Sequence, residues 1–280
     1  MFLIKGSRFV LLFLVACALL SSTCERRIDV HPVALQSITE VQIESNYELS
    51  VTIGEALQTQ INKPTSEFNL LARSTHADVY DYLEERLNTA VFTNPLAVEN
   101  RNNFEWSVDV IVDDARANAF TFPGGHLYIT TGLLQFLESE NQLLTLYSHE
   151  IAYADRYYAA LALLDEFGGT SIGDIDLNKA DESDISIMVE TISAWTYEES
   201  IVLDADQFSI DVLCPFNYDS GGMMDIIDKT EQDGIELAWM NYKHADLETR
   251  RAQIETLTFD CGFNGVTNTE AYYDFLSLLP

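Results

Sequence analysis

The sequence predicts a helix-rich α+β fold, and three observations carry that reading. Strand-type alternation is confined to one stretch, between residues 106 and 130. Apolar residues at helical spacing dominate on both sides of it. Neither an internal repeat nor a second domain is legible, so strands and helices are segregated along one chain. With 280 residues, 47% hydrophobic and 21% charged, the composition suits a single domain with a substantial core.

The elements follow in order. Residues 34–61 mix apolar and polar positions at helical spacing and stop at Asn62-Lys63-Pro64. A second helix is predicted over 77–90, where Val79, Tyr82, Leu83, Arg86 and Leu87 form a stripe. Trp106, Val108, Val110 and Val112 alternate as a strand, and Pro123-Gly124-Gly125 is a turn between two short strands, which makes a hairpin. A short helix is expected over 133–138, and a long one from Asn141 to just before Gly168-Gly169. Residues 168–183 read as a loop and 184–213 as one long helix ended by Pro215. Two more helices are expected, one after Gly222 to about Gln232 and one over 246–257.

The N-terminus reads as an export leader over residues 1–24, followed by one domain over 25–280. Lys5 and Arg8 precede an apolar run, residues 9–20, that is too short to span a bilayer comfortably. Leu14-Val15-Ala16-Cys17 has the shape of a bacterial lipoprotein box. Cys24 is a second lipidation candidate, and simple cleavage near Cys17 is the alternative. Export leaves Cys214 and Cys261 in an oxidising compartment. A disulfide between them would add roughly 4 kcal/mol on the chain-entropy model; two buried thiols is the other reading. The net charge of −30 argues against nucleic acid and against charge-driven docking on an anionic membrane. The acids are scattered, as in a heavily hydrated surface.

The stretch Ser148-His149-Glu150-Ile151-Ala152-Tyr153-Ala154-Asp155-Arg156 begins like a zinc-peptidase helix. In H-E-x-x-H two histidines one helical turn apart face one metal, with the glutamate as general base for metal-bound water. Here Tyr153 stands at the second histidine position. The surroundings, above all Asn118-Ala119-Phe120-Thr121-Phe122-Pro123-Gly124-Gly125 and His126-Leu127-Tyr128-Ile129-Thr130-Thr131-Gly132-Leu133, are more specific. Together these segments resemble metallopeptidase family 48, the HtpX-like and CAAX-prenyl-endoprotease-like gluzincins, and within it the small exported bacterial lipoprotein members. The core of the resemblance covers about residues 106–250. It implies a zincin-like domain with a small sheet and hairpin beside the active-site helix.

The resemblance also assigns roles. Glu150 takes the general-base position and His149 a metal-ligand position. The third ligand should be a glutamate in E-x-x-A-D, but aligning Ala205-Asp206 puts Val202 there. Asp206 matches the aspartate that holds the first histidine. His244 and Arg250 lie in a segment like the one near the family's active site, and Asn118 and Ala119 match the strand that pairs with substrate backbone. Asp204 sits about 200° around the helix from Val202 and should point away. Glu198, one turn before Val202, is on the correct face. A tyrosine with an ordinary pKa of about 10 is a poor ligand. Catalytic zinc requires three protein ligands, and two of the three positions lack one.

The favoured reading is therefore a pseudopeptidase that binds peptides or a partner protein in the bacterial envelope, with no cofactor expected and possible tethering by an N-terminal lipid. An active zinc endopeptidase would need an unusual set drawn from His149, Tyr153, Glu198 and His244. A purely structural envelope protein is the third reading. Tyr153, Tyr157 and Tyr158, with Ile201, Val202 and Leu203, replace polar family positions; they either pack the metal cavity shut or cover helix surface elsewhere.

Overall fold

The computed structural model describes residues 40–167, 182–216, 218–233, 246–261 and 265–280. The chain divides into two compact units, Met1–Val41 and Gln42–Pro280, and the second carries the sheet and the helices around it. The leader, with Cys17 and Cys24, lies outside the described residues, as do most of the loop read over 168–183 and His244.

The helix-rich α+β architecture is what the sequence predicts. Helices α1 (Glu40–Ile61) and α2 (Ala77–Phe92) precede strands β1 (Ser107–Ile111), β2 (Ala119–Phe122) and β3 (His126–Thr130). Then come α3 (Thr131–Phe136), α4 (Glu140–Asp155), α5 (Tyr158–Phe167), α6 (Glu182–Ser193) and α7 (Glu199–Leu213). A 3-10 turn (Cys214–Phe216), α8 (Gly222–Asp233), α9 (Leu247–Cys261) and α10 (Thr269–Leu276) complete it. Among the described residues no helix is long and apolar enough to cross a membrane.

The sheet has the order β1-β3-β2, with β1 parallel to β3 and β2 antiparallel to it. The predicted hairpin is thus β2–β3, and β2 is left as an edge strand. Its turn depends on glycine: Gly124 and Gly125 have φ of 84° and 95°, where a side chain is strained. A Cβ on Gly125 would also lie 2.9 Å from the Trp106 ring.

Helix α4 is the centre of the unit, and all sixteen of its residues are buried. It has no solvent face because α2, β2, α5, α7 and α8 all pack on it. Ser139 caps its start by accepting from Gln142 N. In its first turn Glu140, 1% exposed, accepts from Tyr82 Oη (3.0 Å), Arg86 Nε (2.6 Å) and Asn268 Nδ2 (2.6 Å). One carboxylate therefore ties α2 and the chain before α10 to the start of α4.

Three boundaries differ from the expectations. The long helix from Asn141 breaks at Arg156-Tyr157, where Tyr157 adopts a left-handed φ of 61°, at a cost of about 1–2 kcal/mol. Asp155 holds the break: its carboxylate accepts from Asn100 N (2.7 Å) and Glu99 N (3.1 Å), and Asn100 Nδ2 donates to its carbonyl (3.0 Å). The helix expected over 184–213 is instead two, α6 and α7, separated by residues 194–198. Helix α10 was not expected; its Tyr272 and Phe275 are buried.

Asp155 also gives the fold a pH dependence. Burial pushes its carboxyl up to about 6, against the pull of the two amides. The folded chain then holds this proton more tightly than the unfolded chain, whose aspartates titrate near 3.9. Its stabilisation is full below about pH 4 and is lost as pH rises through about 6. The unfolding free energy of wild type minus that of Asp155→Asn should fall by on the order of 2 kcal/mol between about pH 4.5 and 7.5 in urea melts. A difference that stays flat, or grows with pH, would refute this.

Candidate active site

The site is assembled from four elements around α4. Helix α4 contributes His149, Glu150 and Tyr153; α7 contributes Val202 and Asp206; α9 contributes Arg250; β2 contributes Ala119 and Thr121, with Asn118 just before it. Positions 149 and 153, and likewise 202 and 206, are one helical turn apart and so share a face.

A buried polar chain runs through these residues. The Arg250 guanidinium donates to Asp206 through Nε (2.7 Å) and Nη2 (2.8 Å), and all of it is buried. Asp206 Oδ1 lies 2.9 Å from His149 Nδ1, both side chains being fully buried. His149 Nε2 lies 2.8 Å from the Tyr153 hydroxyl. The Tyr153 ring stacks on Tyr197, with centroids 4.0 Å apart and planes 14° from parallel.

Charge assignments follow from burial and neighbours. Burial pushes the His149 pKa below its ordinary value, against the opposing pull of Asp206, so the ring is neutral at pH 7. Burial alone would raise Asp206, but Arg250 and His149 hold it below the usual carboxylate range. With a carboxylate at Nδ1 the ring proton sits there, and Nε2 presents its lone pair. Tyr153 therefore donates its hydroxyl proton to the nitrogen that a metal would take.

This donor set does not fit a three-ligand zinc site. Tyr153 fills the coordination position of Nε2, and Val202, fully buried, has no lone pair to offer. Among the described residues no group of three His, Cys, Asp or Glu side chains is arranged to hold a metal. Glu198 is not a substitute ligand: it is exposed at the N-cap of α7. Asp204 does turn away, accepting from Tyr158 Oη (2.9 Å) and pairing with Arg156.

The three tyrosines have separate fates. Tyr153 packs into the cleft. Tyr157 joins Phe104 in another aromatic cluster, its ring edge-on to Phe104 and its hydroxyl 3.3 Å from Asn100 Oδ1. Tyr158 lies with Asp204. Cys214 is disulfide-bonded; the side chain of Cys261 is outside the described residues.

Beside the polar chain lies a cavity of about 250 Å3. Its walls are Asn118 and the first three residues of the edge strand, Glu150 and Tyr153 of α4, and residues 192–197. Glu150, 2% exposed, accepts from Thr121 Oγ1 at 2.9 Å. Asn118 Nδ2 donates to Ser193 O at 3.0 Å, which fastens the end of α6 to the start of the strand. Trp195, Thr196 and Tyr197 were not anticipated as site residues, because the segment read as helix interior. A signal was present: an aromatic and β-branched run followed by Glu198-Glu199-Ser200, an acidic helix start.

The model of Peptidase family M48 matches residues 81–161, a segment running from within α2 to within α5. It includes the sheet, His149, Glu150 and Tyr153, and it stops short of Val202, Asp206 and Arg250. No curated protein matches the chain. The matched segment carries the His-Glu helix, the edge strand and the glycine turn in one continuous frame, and over residues 81–161 the chain is similar to peptidase family M48.

Proposed function

We propose that this protein is a non-hydrolytic member of that family, an exported pseudopeptidase of the bacterial envelope that binds an extended peptide segment. The observation that carries the proposal is the hydroxyl of Tyr153 on His149 Nε2. A metal needs that lone pair, and the ring behind the hydroxyl is fixed by Tyr197. Peptide binding is supported by what lies next to it: an edge strand that helps line a cavity. Strand addition draws on backbone groups and shape, so it does not depend on a metal. Export and lipid anchoring at Cys17 or Cys24 rest on the basic residues and short apolar run of the leader.

The mature protein is expected to show no chelator-sensitive cleavage of casein, since a metal-bound hydroxide at neutral pH requires a set of ligands that is not assembled among the described residues. Cleavage abolished both by chelator and by Glu150→Ala would overturn the proposal. Hydrogen exchange provides the positive test: unfolded peptide should slow exchange of the amides along residues 118–121.

A further inference from the structure

We propose that the cavity beside β2 receives a cationic side chain, lysine or arginine, from the bound segment. This rests on the peptide-binding reading and names the residue class that the site selects. At about 250 Å3 the cavity is below the roughly 300 Å3 at which small-molecule sites begin. It suits one side chain of a strand lying across its mouth.

The chemistry of the walls identifies that side chain. Tyr153, Trp195 and Tyr197 contribute aromatic residues to the walls, and Glu150 contributes a carboxylate. Aromatic faces with a carboxylate among them attract an ammonium or guanidinium, by ring quadrupole and by charge. A neutral side chain of equal length gains only contact area. The Thr121 hydroxyl holds one Glu150 oxygen in place, which orients the carboxylate before a ligand arrives. Arg116 also borders the cavity, but its guanidinium donates to Asp113 Oδ2 at 2.6 Å, so its charge is compensated. The net charge of −30 adds a long-range field of the same sign and favours encounter with basic segments.

The test uses the full mature chain and capped pentaalanine peptides with one central substitution, read by calorimetry. Lysine should bind at least tenfold tighter than norleucine, and arginine at least tenfold tighter than citrulline. Both preferences should shrink between about 0.05 and 0.5 M salt. Glu150→Gln keeps the shape and an acceptor for Thr121, and it should bring the lysine peptide to the affinity of the norleucine peptide. Trp195→Leu, an apolar replacement at a half-buried position, should weaken lysine binding severalfold and serves if the first variant does not fold. Equal binding of charged and neutral peptides, insensitive to salt, would overturn the inference and leave peptide binding standing. Failure of every peptide to bind would overturn both.

Discussion

Replacing Arg250 by methionine should remove about 3–5 kcal/mol of unfolding free energy. Arg250 and Asp206 are both fully buried and joined by two short charge-assisted hydrogen bonds. Methionine fills much of the space and cannot donate. It strands a carboxylate in the interior beside His149, and that ring resists becoming charged because of its own burial. The loss is a large part of the roughly 5–15 kcal/mol available to a folded domain. The compensating change separates charge from packing: Arg250→Met with Asp206→Leu should be more stable than Arg250→Met alone, since no buried charge remains. His149 would still lose its Nδ1 acceptor, at about 1–3 kcal/mol, so recovery should be partial. Urea unfolding of wild type, both single variants and the double variant gives the coupling directly. A loss below about 1 kcal/mol for Arg250→Met would mean that water reaches the pair.

Much of this fold is legible in the sequence, and the exceptions share a cause. The hairpin is visible because Pro123-Gly124-Gly125 interrupts two runs that both end up buried. Helix α2 is visible because one face is apolar, and it is the face that packs. The two broken helices are not visible, since neither break contains glycine or proline. At Arg156-Tyr157 the break is held by tertiary bonds from Asp155 to residues 99 and 100, distant in sequence. Local periodicity cannot report such contacts. At the α6–α7 break Tyr197 stacks on Tyr153, again a contact distant in sequence.

The site divides along the same line. The pairing of positions 149 and 153 is a matter of helix geometry and can be read from spacing alone. That Asp206 would meet His149 comes from the family resemblance, because 57 residues separate them and no periodicity connects them. Arg250 as the counter-charge of Asp206 is a further step. It converts a residue merely near the site into the one that keeps the carboxylate ionised. Tyr197 lies beyond both arguments. It reached the cleft only when a helix failed to continue.

Restoring the lost donors should restore metal binding. Tyr153→His with Val202→Glu places an imidazole one turn after His149 and a carboxylate one turn before Asp206, on the faces that already meet. Removing the tyrosine hydroxyl also releases His149 Nε2, while Asp206, itself held by Arg250, continues to hold Nδ1. Tyr153 lines the cavity, so its replacement opens a path for the ion. The double variant should bind zinc at least about a hundredfold more tightly than wild type, about 2.7 kcal/mol. Each single variant should fall well short, having only two ligands. Without metal the double variant should be less stable than wild type, because Glu at position 202 is a buried carboxylate with no partner and Tyr197 has lost its stacked ring. Zinc at about a thousand times its dissociation constant should return about 4 kcal/mol. Leu203→Glu with Tyr153→His is the register control: position 203 lies about 100° around α7 from position 202, so its carboxylate should not reach the ion. Equilibrium dialysis and zinc-dependent melting decide the matter. Equal binding by the control would place the third ligand on the wrong residue of α7, and no binding by the double variant would mean that the cleft around His149 has closed beyond what two substitutions can reopen.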